Sequence, residues 1–162
     1  MRLTPETLPA IQQALTAAGV DGWLLYDFRA TNPVAGQMLG LEGMVSRRVF
    51  CLVPRTGAPV AITHAIEQGP WTDWPSAWGK VVYSGWEPLT AELGALVAGR
   101  TVAMEYSPED AVPYVDRIPA GVIEMVRAAG ATVVTSGNLV SQFFAAWTAD
   151  DMRTHSATAE AL

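Results

Sequence analysis

The chain has 162 residues, half of them hydrophobic and only 16% charged, with a mean hydropathy of +0.20. That length supports one well-filled core and leaves no room for a second domain, since a chain of this size buries roughly 70% of the surface its unfolded form exposes. The net charge is −6 and the ten Lys and Arg gather only at Arg47-Arg48, so the electrostatic footprint that attracts a phosphate backbone is missing and nucleic acid is not an expected partner.

The first predicted element is a helix from Pro5 to Ala18. Thr4 serves as its N-cap, Leu8, Ile11 and Leu15 recur at helical spacing, and Gly19 stops it. Gly22-Trp23-Leu24-Leu25-Tyr26 is a short, wholly apolar run ending at Asp27, which suits a central strand covered on both faces. A loop or short helix follows from Thr31 to Met44. Arg48 to Val53 and Pro59 to Thr63 are β-rich runs separated by Pro54-Arg55-Thr56-Gly57, which predicts an antiparallel hairpin.

Further strands are expected at Val81 to Tyr83, Thr101 to Glu105 and Thr132 to Val134. Helical patterns lie between them at Glu87 to Val97, near Val112 to Val115, and at Val122 to Ala129. This alternation implies crossover connections and partly parallel pairing. The sum is an α/β fold: a six-stranded mixed sheet flanked by helices, a hairpin meander first and crossovers after.

At the end of the chain, Thr148 and Asp151 make a capping-box-like start, and Met152, His155, Ala159 and Leu162 form a stripe that runs to the terminus. No Gly, Asn or Pro closes it, as expected of a boundary inside a longer protein. No apolar stretch reaches the ~18 residues of a membrane span. Met1 to Ala10 lacks the basic and apolar regions of a signal peptide. The chain therefore reads as cytoplasmic, with no membrane partner.

Candidate chemistry is sparse. Cys51 lies in an apolar strand and reads as structural, without the polar setting a reactive thiolate needs. Asp27, Arg29 and Asn32 leave the end of the first strand, where α/β sheets place ligand contacts. Asp27 and Arg29 either bind a charged end of a substrate, or Asp27 caps the turn and Arg29 pairs with it. His64 ends the third strand with Glu67 three residues on, but two ligands do not hold a metal, and His64 reads as structural. Trp71, Trp74, Trp78 and Trp86 crowd an irregular loop and either plug the core or form an interface. No triad, phosphate loop or metal-ligand spacing is present.

The segment Leu24-Leu25-Tyr26-Asp27-Phe28-Arg29-Ala30-Thr31-Asn32-Pro33-Val34-Ala35-Gly36 resembles the N-terminal domain of creatinase/prolidase-type Xaa-Pro metallopeptidases. The pattern is an apolar strand followed by Asp27, Arg29, the polar Asn32 and Gly36. Ala103-Met104-Glu105-Tyr106-Ser107-Pro108 and Ser136-Gly137-Asn138-Leu139-Val140 look like that domain's fifth strand end and closing helix. Thr148-Ala149-Asp150-Asp151 resembles the start of its linker helix.

The resemblance implies a ribonuclease-H-like α/β domain without nuclease chemistry over residues 1–146, and a linker helix beginning in 147–162. It also implies a separate C-terminal "pita-bread" catalytic domain. There, two divalent metals (Mn, Co or Zn) held by Asp, His and Glu would activate a water to attack the bond before proline. A homodimer acting on short proline-containing peptides follows from the same resemblance. In it, Asp27, Arg29, Asn32 and His64 are substrate-side candidates, and Trp71, Trp74 and Trp78 interface candidates. This chain by itself is expected to hold no metal and cleave nothing. A stand-alone ribonuclease-H-like binding or assembly module is the alternative.

Overall fold

The computed structural model describes residues 1–43, 45–147 and 149–160. Three sequence expectations touch positions outside the described residues: the loop end at Met44, the cap at Thr148 and the stripe end at Leu162.

Helix α1 spans Leu8–Ala18 and starts three residues later than expected, because Thr4 to Thr7 form a turn of their own. In that turn the Thr4 amide donates to the Thr7 hydroxyl at 2.8 Å and the Thr7 amide to the Thr4 hydroxyl at 3.3 Å. The left-handed Gly19 (φ 68°) ends the helix as predicted. Its amide donates to the Thr16 carbonyl, and the Val20 amide to that of Leu15.

Strands β1 (Gly22–Asp27), β2 (Val49–Pro54) and β3 (Val60–His64) form the antiparallel meander read from the sequence. Helix α2 (Pro33–Leu39) bridges the first two strands. Strand β4 (Gly79–Tyr83) then joins parallel to β3, and after α3 (Trp86–Val97) strand β5 (Thr101–Met104) pairs parallel with β1. Helix α4 (Ala120–Ala128) leads to β6 (Thr132–Thr135), parallel to β5. The chain continues into α5 (Gly137–Phe143) and α6 (Ala149–Glu160).

The strand order is β4-β3-β2-β1-β5-β6. Every strand except β2 therefore points the same way, and five carboxyl ends converge on one edge. The expected six-stranded mixed sheet is the architecture observed.

The alternation of side chains along β1 divides the core into two layers. Trp23 and Leu25 join Ile11, Leu15, Met38, Cys51 and Phe143 on the face covered by α1, α2 and α5. Leu24 and Tyr26 join Phe50, Leu89, Leu93, Val97, Ile123 and Val126 beneath α3 and α4. All six residues of β1 are buried, which explains why this strand reads as a continuous apolar run.

The helix expected near Val112 to Val115 is not formed; that segment is a series of turns. Pro113 removes a helical donor, and Glu109 and Asp110 just before it adopt left-handed φ of 57° and 54°. Helix α6 follows the predicted position but buries no residue, so Met152, His155 and Ala159 are all exposed. Among the described residues no helix is long and apolar enough to cross a membrane.

Gly22 opens β1 against β2 at a point where a side chain would not fit. A Cβ there would lie 2.7 Å from Leu52 Cδ1 and 3.0 Å from the Val53 carbonyl oxygen. Gly22→Ala is expected to destabilise the domain by about 1–3 kcal/mol through overpacking. Urea denaturation checks this, and an unchanged midpoint would contradict the packing described.

Candidate functional site

At the carboxyl edge β1 ends in Asp27, a carboxylate with no solvent exposure. Its two oxygens accept the backbone N–H groups of Ala30 and Asn32, both at 2.9 Å. This tie folds Phe28 to Thr31 into a tight loop in which Arg29 and Ala30 take left-handed φ of 60° and 56°. Two consecutive non-glycine residues in that region are costly and persist only when the surroundings dictate them. Asp27 thus does cap the turn, while Arg29 is exposed and pairs with no carboxylate among the described residues.

Asn32 is the pivot between this loop and the rest of the molecule. Its side-chain oxygen caps α2 by accepting the amides of Val34 and Ala35 at 3.1 and 3.3 Å. Its amide nitrogen donates to the Tyr26 carbonyl and to Glu105 Oε2, both at 2.8 Å.

Glu105, directly after β5, is fully buried. Its Oε1 accepts the Trp23 indole N–H at 2.5 Å and the Ser136 hydroxyl at 3.1 Å. One carboxylate therefore joins β1, the loop after it, and the segment leading into α5. Among the described residues no buried side-chain polar atom lacks a partner.

His64 also reaches this edge, at the end of β3. Its ring packs edge-on to Tyr83 with centroids 4.9 Å apart, and its Nδ1 accepts the Ile66 amide at 3.3 Å. The Glu67 amide donates to the His64 carbonyl at 3.0 Å, but its carboxylate does not join the His64 ring. The Glu67 carboxylate instead accepts both the amide and hydroxyl of Ser46 and the amide of Arg47. Among the described residues no group of three or more His, Cys, Asp or Glu is placed to hold a metal ion. Cys51 is enclosed in β2, and burial pushes its thiol far above the ordinary range.

The tryptophan-rich segment supplies the crossover from β3 to β4, with a single 3-10 turn at Gly69–Trp71 in place of an α-helix. Trp71 and Trp78 are buried in the core beneath it. Trp74 is half-buried, stands edge-on to both, and donates its indole N–H to the Gly79 carbonyl at 3.1 Å. Trp86 stands apart, 56% exposed at the start of α3.

The structure thus brings Asp27, Arg29 and Asn32 together and leaves His64 among other partners. Sequence reasoning missed Glu105. For Glu105 the available signal was a lone acid closing the apolar run Val102-Ala103-Met104.

Burial pushes the Glu105 carboxyl above the usual range, and bonds donated by Trp23, Asn32 and Ser136 pull against that rise. A carboxyl raised in the folded state adds its stability while protonated. That contribution is full below the ordinary value of 4.5 and is lost as pH climbs through the folded value. The stability of the native protein relative to Glu105→Gln is therefore expected to fall as pH rises from the ordinary carboxyl value of 4.5 through the raised folded value. Denaturant titrations across that range check it, and a difference that grows with pH would contradict it.

No model of a known protein family matches the chain, and neither does any curated protein sequence. Solved structures do match. The dipeptidase PepE from Mycobacterium ulcerans superposes with a TM-score of 0.66 at 16% identity, over 91% of this chain and 38% of its own. A recombinant prolidase from Thermococcus sibiricus gives 0.67 at 15% identity, over 94% of this chain and 40% of its own. The creatinase/prolidase N-terminal domain of an X-Pro dipeptidase from Streptococcus pyogenes gives 0.63 at 14% identity, over 86% of this chain and 100% of its own. This chain spans about two-fifths of the two longer proteins and matches the whole of the isolated domain. Its fold is that of a creatinase/prolidase N-terminal domain.

Proposed function

We propose that this chain is the non-catalytic N-terminal domain of a cytoplasmic, metal-dependent Xaa-Pro dipeptidase or aminopeptidase. The observation that carries the reading is the superposition on an X-Pro dipeptidase N-terminal domain over that domain's full length. In this reading residues 1–146 form the domain, and 147–162 begin the helix that leads into a C-terminal catalytic domain. Two divalent metals, Mn, Co or Zn, reside in that second domain and supply an activated water for cleavage before proline.

The contribution of this chain is assembly and substrate gating. Arg29 is an exposed guanidinium on a loop that Asp27 and Asn32 hold in a single conformation, so little entropy remains to be lost when it meets a charged peptide end. Asp27 and Asn32 act through that loop. His64 flanks it on the same sheet edge, and the enzyme takes short proline-containing peptides. Within a homodimer, Trp74 is the member of the Trp71, Trp74 and Trp78 cluster with surface left to offer a second subunit.

Two measurements test the reading. The purified 162-residue chain supplied with Mn²⁺, Co²⁺ or Zn²⁺ is expected to leave Xaa-Pro dipeptides intact, and metal-dependent turnover by this chain would overturn the assignment. In the enzyme that joins it to its catalytic domain, Arg29→Ala is expected to raise KM on the order of ten-fold. That factor corresponds to the loss of one charge-assisted contact. An unchanged KM would remove Arg29 from the substrate side.

A further inference from the structure

Arg48 immediately precedes β2 and is half-buried at the carboxyl edge. The Tyr83 hydroxyl donates to its backbone carbonyl at 2.7 Å, which fixes the main chain there. Its guanidinium carbon stands 5.4 Å from the centre of the Phe28 ring and 5.2 Å from that of Trp86. The Tyr26 hydroxyl also lies within hydrogen-bonding reach of the guanidinium. Aromatic rings at these distances attract the cation and hold its plane, but they cannot accept the N–H donors that remain along its edge.

Arg55 and Arg153 each have a carboxylate partner, Asp21 and Asp150. Among the described residues Arg48 has none. The acids of the adjoining loops are engaged elsewhere: Asp27 by the amides of Ala30 and Asn32, Glu67 by Ser46 and Arg47. Arg29 and Arg47, the chain neighbours of Phe28 and Arg48, are both exposed. A chain of net charge −6 therefore gathers three guanidinium groups on the paired ends of β1 and β2. The indole of Trp86 adds open apolar surface beside the cation, being 56% exposed.

We propose that Arg48 and Trp86 form a binding site for the carboxylate of a small acid that carries an apolar group. The planar edge of Arg48 takes both carboxylate oxygens, and the apolar part lies on the indole. Bidentate pairing to a cation already held by two rings is stronger than pairing to a free one, because the side chain has been ordered beforehand. The site rests on Arg48, Phe28 and Trp86 and is independent of the peptidase reading. Glu87, exposed in the first turn of α3, is the one negative charge next to Trp86 in the chain and opposes the ligand.

Nuclear magnetic resonance on the full chain tests the site by following the Arg48 Nε–H and Trp86 Nε1–H signals. The probes are 3-phenylpropionate, 3-phenylpropanol, acetate and inorganic phosphate. Saturable movement of both signals with 3-phenylpropionate is expected, with acetate binding roughly five-fold or more weakly for want of the indole contact. The alcohol should have no effect, and phosphate should bind more weakly than 3-phenylpropionate. Arg48→Lys, which keeps the charge and loses the fork, and Arg48→Gln should each weaken 3-phenylpropionate about ten-fold or more at Trp86. Glu87→Gln should tighten it.

The remaining amide spectrum reports whether each variant folds. Three results would overturn the site: an unmoved Arg48 signal, a Trp86 response that survives in a folded Arg48→Lys or Arg48→Gln protein, or equal movement by phosphate and 3-phenylpropionate.

Discussion

The carboxyl edge of this domain depends on one buried carboxylate. Glu105 accepts bonds from Trp23 in the central strand, from Asn32 at the head of α2 and from Ser136 just before α5. Desolvating a carboxylate costs several kcal/mol, and the three donors in place offset only part of it, which is why the carboxyl stays raised. The dependence runs both ways. Without Glu105, the Trp23 indole and the second Asn32 amide hydrogen would be left as buried donors without a partner, each costing about 1–3 kcal/mol. The network is therefore specified as a unit.

Its position gives it functional weight. In open α/β sheets the crevice beyond the carboxyl ends opens where successive connections leave in opposite directions, and ligands bind there. Here that point falls between β1 and β5, since β2, β3 and β4 lie on one side of β1 and β5 and β6 on the other. Asn32, Glu105 and Ser136 fill it with protein hydrogen bonds. What the edge offers instead lies outward: the Arg29 loop fixed by Asp27, and beside it the ring-bound Arg48.

The strands were legible because each is a short apolar run between Gly, Pro or Asp, and Pro54 to Gly57 announced the hairpin. The two-sided burial of β1 could be read from Gly22 to Tyr26 for the same reason. Sequence failed where long-range contacts or special backbone decide. The apolar residues Val112 and Val115 suggested a helix, but Pro113 and the left-handed Glu109 and Asp110 impose turns. The tie between Asn32 and Glu105 spans 73 positions, and local patterns carry no trace of it. Of the two readings of Asp27, the turn cap is the one the fold adopts, with both oxygens spent on backbone amides, while the pairing with Arg29 is not made. The tryptophans gave two readings because exposure depends on what packs beneath them. Trp71 and Trp78 proved to be core, Trp74 half-buried and Trp86 open.

The claim on which this account turns is that Glu105 locks the edge through the Trp23 indole. Hydrogen exchange of the Trp23 Nε1–H, resolved against that of Trp86, measures it directly. A hydrogen held between two buried groups at the sheet centre is predicted to exchange only when the whole domain opens, as slowly as the amides of β1. Exchange of the Trp23 indole at the rate of the exposed Trp86 indole would contradict the account.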